Sequence, residues 1–190
     1  GYNIPYFTFR NATGGNKTVN GTTILETGMW YHITGTFDGV NQKIYVNGFL
    51  DNSQTQSNAS INTSSTDITI GGNNQGTTAL MHGQIDDVFL FDFAMNEDQV
   101  ALTAESKLDG DEDGLLSYWN FDASEGDIIF DRTGNYKHGT IYGASWLERE
   151  NFGCLDPYAF NFDTDVNVDD GSCFGYPEDE NCLLYTSDAA

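Results

Sequence analysis

Residues 29–48 read MWYHITGTFDGVNQKIYVNG, and this stretch decides the fold of the chain. Apolar and polar side chains alternate on both sides of a polar turn, a pattern typical of two antiparallel strands. The first strand has two faces, one with Tyr31, Ile33 and Phe37, the other with Trp30, His32, Thr34 and Thr36. Asn47-Gly48 ends the stretch, and this pair adopts the positive φ angles of a type I′ turn at little cost. The sequence therefore predicts a β-hairpin here.

Working outward from the hairpin, the alternation predicts more strands and one helix. The strands are expected at 5–9, 43–46, 49–51, 67–70 and 84–92, with a long loop or weak edge strand over 52–66. In the strand at 84–92, one face would carry Ile85, Asp87, Phe89 and Phe91, and the other Val88 and Leu90. Asn96 is a good helix cap and Gln99 follows three residues later, which predicts a short helix with a capping box.

The composition restricts the classes of partner. The chain has 190 residues, of which 38% are hydrophobic and 14% aromatic, enough for one sizeable domain with attachments. Its formal net charge is −22 with only seven Lys and Arg, which argues against nucleic acid and against anionic membrane surfaces. No run of about 18 apolar residues is present, so no membrane insertion is expected. Divalent cations suit such a charge, and solubility is the alternative reason for it.

Two motifs resemble laminin-G-like (LamG-like, concanavalin A-type) domains. The first is Trp-x-His, Phe-Asp-Gly and Lys-Ile-Tyr-Val-Asn-Gly within residues 30–48. The second is Gly-x-Ile-Asp-Asp-Val-x-Leu-Phe-Asp over 83–92, followed by Ala-Met-Asn-Glu-Asp-Gln-Val over 94–100. The resemblance implies an all-β, antiparallel jelly-roll β-sandwich with one short helix over residues 1–107. The family's first strands are not found before the hairpin, so we expect this domain to be N-terminally truncated.

The second half of the chain is more acidic, with net charges of −6 over 1–107 and −16 over 108–190. Residues 108–114 are expected to form an acidic linker. Residues 115–147 resemble the first strands of another LamG-like unit, and we hypothesise that they complete the sandwich beside the strand at 84–92. Without such a partner the sandwich would keep an open, aggregation-prone edge.

Residues 153–175 form a third unit, which resembles a Gly-Cys-x-Asp-Pro…Asp-Asp-Gly-Ser-Cys repeat of marine bacterial surface proteins. Residues 176–190 are expected to be a disordered tail, and 182–190, CLLYTSDAA, resemble a translated sequencing adapter from a metagenomic fragment. Setting that tail aside leaves Cys154 and Cys173, which we expect to form a disulfide. A disulfide and the resemblance both imply an extracellular or cell-surface location.

Three acidic groups are candidate calcium sites. By resemblance to calcium-bearing sandwiches, Asp86 or Asp87 would act with Asp122 or Glu125; hydrogen bonding at a strand end is the alternative. Asp109, Asp111 and Asp113 precede Gly114 as in an EF-hand loop, although Asn120 stands where a Glu is needed, and a solvated linker is the alternative. Asp163, Asp165, Asn167 and Asp169 alternate in the third unit, and like charges at that spacing repel unless a cation or water separates them.

A sugar site needs aromatic rings beside amides. The candidate ligand-binding residues are Asn73, Asn74 and Gln75 in the loop GGNNQGTT, together with Tyr45. Tyr31, Trp119 and Trp146 are further aromatic candidates, for which core positions are the alternative.

No catalytic residues are predicted. The sequence lacks the Glu-x-Asp-x-x-Glu strand of related glycosidases, and His32 has no Ser or Cys nucleophile at a recognisable spacing. The resemblance therefore implies a non-catalytic extracellular carbohydrate-binding or adhesion module, assisted by calcium, whose partner is a glycan or a cell-surface ligand. Two alternatives remain: a structural spacer of a surface protein, and an accessory module of a polysaccharide-degrading enzyme with its catalytic domain upstream.

Overall fold

The computed structural model describes residues 3–57, 59–72, 79–147 and 152–175. The strands are β1 (Tyr6–Arg10), β2 (Asn16–Asn20), β3 (Ile33–Phe37), β4 (Asn41–Val46), β5 (Phe49–Thr55), β6 (Val88–Phe91), β7 (Leu115–Trp119), β8 (Ile128–Ile129), β9 (Gly139–Thr140), β10 (Phe152–Gly153) and β11 (Val168–Asp169), and the helix is α1 (Glu97–Glu105). The fold is mostly β with one short helix, consistent with the predicted β-sandwich. Within these ranges no helix is long and apolar enough to cross a membrane.

Strands β3, β4 and β5 form an antiparallel sheet around the predicted hairpin. Asn47 and Gly48 have φ angles of 50° and 84°, as a type I′ turn requires, so the hairpin prediction is confirmed. In β3 the buried face is that of Thr34 and Thr36, whereas Ile33 is exposed. The Phe7 ring lies where a Cβ on Gly35 would be, so β1 covers the other face of β3 at that point.

Strand β4 is covered on both faces and is the central strand of the first compact unit, Gly1–Ala144. Gln42 is fully buried, and its Nε2 donates to the carbonyl oxygens of Phe7 (2.8 Å) and Lys17 (3.1 Å) in β1 and β2. Tyr45 points to the opposite face and is also fully buried, in a cluster with Met95 and Val100. Strand β4 thus packs against the β1–β2 pair on one face and against the helix on the other.

The helix begins at the predicted cap. Asn96 Oδ1 accepts from the Gln99 backbone N–H, and Gln99 Oε1 accepts from the Asn96 N–H, both at 2.9 Å, which confirms the capping box. The middle of the helix lies against the hairpin turn: a Cβ added to Gly48 would be 3.2 Å from the Ala101 Cα. Gly48 is therefore required both for its φ angle and for this close approach.

Strand β6 is shorter than the predicted strand at 84–92. It begins at Val88 because Asp87 has a φ angle of 49°, which is incompatible with extended backbone. Within β6, Phe89 and Phe91 pack against the Tyr45 cluster while Leu90 is exposed, as the predicted alternation required. β6 pairs antiparallel with β7, with Val88 opposite Trp119, so the segment that begins at Leu115 lies beside this strand. That this segment completes the sandwich stays a prediction.

The predicted strand at 67–70 is wrong. Its residues form no strand, and Ile68 is 62% exposed. The residues alternate as in a strand, but the segment pairs with no strand among the described residues and buries little apolar surface, so nothing holds it in a sheet.

The chain divides into two compact units, Gly1–Ala144 and Ser145–Ala190. In the second unit β10 and β11 are parallel, and Cys154 and Cys173 form the expected disulfide. Apolar side chains of this unit remain exposed, with Tyr158 at 74% and Phe160 at 71%. The described part of the second unit therefore buries little apolar surface, and we expect it to depend on its disulfide.

Gly48→Ala tests the contact between the turn and the helix. It should lower the free energy of unfolding by about 2–4 kcal/mol, because the left-handed φ and the approach to Ala101 both penalise a Cβ. Gly39→Ala is the matched control: Gly39 also has a positive φ, of 95°, but no atom within 4 Å of an added Cβ. It should cost only about 1–2 kcal/mol. Equal losses in urea unfolding would contradict the packed turn.

Reduction of the disulfide tests the stability of the second unit. Opening this loop should destabilise the unit by about 3 kcal/mol, the loop-entropy value for its length. Chymotrypsin should then cut at Tyr158, Phe160 or Phe162 far faster in the reduced protein than in the oxidised one. Cleavage within residues 33–55, measured in the same digest, is the internal control and should not change. Unchanged cleavage of the second unit would show that its core holds it without the disulfide.

Candidate functional site

A cleft of about 190 Å³ lies in the first unit, where β3, β6, β7 and the end of α1 meet. Its lining combines aromatic, charged, apolar and small polar side chains, with His32 and Asp87 contributed by the residues just before β3 and β6: His32, Asp87, Phe89, Thr103, Ala104, Glu105, Ser106, Lys107, Leu108 and Tyr118. Sites for drug-sized ligands are usually larger, about 300–1,000 Å³, so this cleft suits a single small group such as one sugar ring.

His32 is held in the cleft by the hairpin turn. Its backbone N–H donates to Asn47 Oδ1 at 2.9 Å, and the Asn47 N–H donates to the His32 carbonyl oxygen at 2.8 Å. The imidazole centroid lies 5.8 Å from that of the Phe89 ring. The turn that decides the fold therefore also positions this side chain.

Both nitrogens of the half-buried His32 imidazole are shielded from solvent. Neither Nδ1 nor Nε2 has a hydrogen bond within the described ranges. Burial lowers the pKa of His32 below its ordinary value of 6.5, and the nearby charge of Asp87 opposes this shift without reversing it. Buried polar groups without partners are rare in folded proteins and call for an explanation, such as a water or a ligand. The two His32 nitrogens are thus available to hydrogen-bond a ligand in the cleft.

Asp87 and Tyr118 form the polar floor of the cleft, where the Tyr118 side chain is buried, 2% exposed, and acts by positioning the Asp87 carboxylate. The Tyr118 hydroxyl donates to Asp87 Oδ1 at 2.6 Å, a short distance typical of a hydrogen bond to an ionised acceptor. Burial, and then the bond to Asp87, raise the pKa of Tyr118, so its hydroxyl stays protonated. The left-handed backbone of Asp87 turns its carboxylate toward β7 in place of continuing the strand.

The β7 backbone beneath Tyr118 is fixed by Asp131. This buried carboxylate accepts from the backbone N–H groups of Tyr118 (3.1 Å), Thr133 (3.1 Å) and Lys137 (3.0 Å). Burial opposes ionisation of Asp131, but these hydrogen bonds outweigh it and lower its pKa. The loop after β8 is thus attached to the strand that carries the cleft tyrosine.

The end of α1 closes the other side of the cleft. Lys107 Nζ lies 3.5 Å from Asp122 Oδ2, and the Lys107 side chain is 56% exposed. Asn120 Nδ2 donates to the same carboxylate oxygen at 2.8 Å. Partial burial, and then the charge of Asp87, raise the pKa of Asp86, which lies just outside the cleft.

The predicted ligand-binding residues are not in this cleft. Asn73, Asn74 and Gln75 lie outside the described residues, so their role stays a prediction. Tyr45 is completely buried in the core cluster, which corrects its assignment as a ligand contact. Trp119 is also buried, with its Nε1 donating to the Lys137 carbonyl oxygen at 2.9 Å.

The predicted calcium residues have other contacts. In the linker, Glu112 accepts from the backbone N–H groups of Asp109 (2.7 Å) and Gly110 (3.0 Å), so this acid shapes the loop through hydrogen bonds, and Asp111 and Asp113 are exposed. Asp163 and Asp169 accept from the N–H groups of Asp165 (2.9 Å) and Gly171 (3.0 Å).

Asp86 Oδ1 accepts from the Asp87 N–H at 3.0 Å, and Glu125 is exposed. Across the described ranges no three His, Cys, Asp or Glu side chains gather in a group that could hold a metal ion. Calcium binding therefore stays a prediction.

The sequence identified one member of the cleft, Asp87, because a carboxylate inside an apolar segment needs a partner. It missed Tyr118, Lys107 and the helix end. Asp87 signals that a hydrogen-bond partner is needed, because it is a polar residue inside an apolar segment. Which residue is that partner depends on the register of β6 against β7, and sequence patterns do not define this register.

The protonation state of His32 tests the geometry of the cleft. A proton NMR titration should place the pKa of His32 below 6.5, and Asp87→Asn should lower it further by removing the opposing charge. Because the unfolded chain binds this proton at a higher pH than the folded protein, stability should fall as the pH drops below about 6.5. Asp111→Asn, an exposed change elsewhere, should leave the titration unchanged. A His32 pKa above 6.5 would contradict the buried imidazole.

Comparisons with known proteins agree with the fold. A family model described as the concanavalin A-like lectin/glucanases superfamily matches residues 2–101. A candidate carbohydrate-binding protein from Bacteroides ovatus is similar, with 28% identity, a TM-score of 0.56 and coverage of 67% of this chain and 38% of that one. This chain therefore spans well under half the length of that protein.

An S-layer domain-containing protein from Clostridium thermocellum gives 26% identity over 47% of this chain and 46% of that one, with a TM-score of 0.38, too low for any argument. No curated protein is similar enough to serve as a relative.

Proposed function

Because the chain belongs to the concanavalin A-like lectin/glucanases superfamily, we propose that it is a carbohydrate-binding module whose ligand occupies the cleft between β6, β7 and the end of α1. The observation that carries the proposal is the Tyr118–Asp87 pair beside the Phe89 and His32 rings. Sugar rings are bound by aromatic side chains with a few well-placed polar groups, and this cleft offers both. The similarity to the candidate carbohydrate-binding protein from Bacteroides ovatus supports the same ligand class.

The proposed module is non-catalytic. Ser106 and His32 both line the cleft, but neither imidazole nitrogen is hydrogen-bonded to a described hydroxyl or carboxylate. An activated nucleophile requires such a chain of contacts. Asp87 is already bound by the Tyr118 hydroxyl, an arrangement that positions the carboxylate to accept hydrogen bonds from a ligand.

We place the module outside the cell. The Cys154–Cys173 disulfide supports this location, because disulfides persist in oxidising compartments. The disulfide-closed second unit would follow the binding unit as an attachment or spacer. Calcium assistance is part of the proposal and rests on the acidic composition of the chain.

A glycan array followed by calorimetry tests the proposed function. The oxidised full chain should bind a defined class of oligosaccharide, and Tyr118→Phe should weaken that binding about five- to tenfold, the value of one ordinary hydrogen bond, because Asp87 loses the bond that positions its carboxylate. Tyr142→Phe is the matched control, because Tyr142 is 77% exposed and does not line the cleft. EDTA should reduce the affinity if calcium assists.

Circular dichroism should show the same sheet signal for both variants. Binding that is unaffected by Tyr118→Phe would remove the cleft from the proposal. A folded protein that binds no glycan would overturn the proposed function and favour the spacer interpretation.

A further inference from the structure

We propose that the cleft selects a positively charged ligand, the protonated amine of an amino sugar. This inference rests on the proposed function and specifies which carbohydrate the cleft would take. It follows from three independent features of the cleft: the charges of its lining, the direction of α1 and its aromatic rings.

The lining charges favour a cation. Asp87 and Glu105 supply two negative charges, and Lys107 is the single base among the lining residues. The Lys107 ammonium lies 3.5 Å from the Asp122 carboxylate, which offsets part of its charge. An acidic sugar would bring a further negative charge toward Asp87 and Glu105, which like-charge repulsion disfavours.

The helix adds negative potential to the same place. α1 ends at Glu105, and its final residues line the cleft together with the cap residue Ser106. The last carbonyl groups of a helix carry a partial negative charge that attracts cations. No basic side chain lies in the last turn to neutralise it. A ligand ammonium would take the position that Lys or Arg takes at many helix ends.

Aromatic rings complete the preference for an ammonium. Phe89 and the buried Tyr118 line the cleft, and the faces of phenyl and phenol rings attract cations within about 6 Å. The raised pKa values of Asp86 and Tyr118 are consistent with a negative potential here, since nearby carboxylates contribute to both shifts after burial. Walls of this kind bind a sugar amine by its charge and the sugar ring by stacking.

The test compares two disaccharides that differ by acetylation. Calorimetry of the full oxidised chain at mildly acidic pH would use β-1,4-linked glucosamine disaccharide and its N-acetylated counterpart, which has no charge. The amine should bind at least about tenfold tighter, as expected for a partly desolvated cation beside carboxylate and aromatic groups. Asp87→Asn and, independently, Glu105→Gln should remove most of that preference.

A control variant separates the cleft from the overall charge of the protein. Asp98→Asn removes the same charge from an exposed position on the first turn of α1, away from the cleft lining, and should keep the preference. If Asp98→Asn reduces the preference as much as Asp87→Asn does, the attraction is non-specific and the inference is wrong.

The remaining outcomes separate this inference from the proposed function. Equal binding of both disaccharides would overturn the charge preference and leave carbohydrate binding intact. Binding of neither disaccharide, together with binding of another neutral glycan on the array, would also overturn the charge preference alone. A protein that binds no glycan at all would overturn both.

Discussion

The antiparallel pairing of β6 with β7 is the contact on which the candidate site depends. It joins two segments that are separated in the chain by the helix and the acidic linker, with Val88 opposite Trp119. This register places the Tyr118 hydroxyl against Asp87, and Asp131 then fixes the Tyr118 backbone from the other side. A shift of one residue would turn Tyr118 to the opposite face and remove the polar floor of the cleft.

The hairpin at Asn47-Gly48 supplies the opposite wall. The turn contacts the middle of α1, and the Asn47 side chain holds the backbone of His32. Strand β4, buried on both faces, joins this wall to the β1–β2 layer and to the Tyr45 cluster beneath the helix. The same contacts therefore stabilise the fold and position the site. They hold the His32 imidazole in place although its nitrogens make no hydrogen bond among the described residues.

Local patterns in the sequence predicted the local structures well. Asn-Gly specifies its own φ angles, Asn96 and Gln99 specify a capping box, and two cysteines in a small unit specify a disulfide, because each device acts within a few residues or follows from composition. Alternation grouped the residues of β3 correctly but could not say that the Thr34 face would be the buried one. That outcome depends on which layer covers each face, as does the failure of 67–70 to form a strand. Tyr45 was misassigned for the same reason, since an aromatic residue on a strand can face a ligand or the core.

The proposed glycan site lies where β6, β7 and the end of α1 meet. Backbone amide NMR during titration with the tightest oligosaccharide from the array tests it most directly. The account predicts that the largest shifts occur at His32, Asp87, Phe89, Tyr118 and residues 103–108, with small shifts in β1 and β2. Shifts concentrated in the second unit, or in the loops around Tyr136 and Tyr142, would contradict the account and place the binding surface elsewhere.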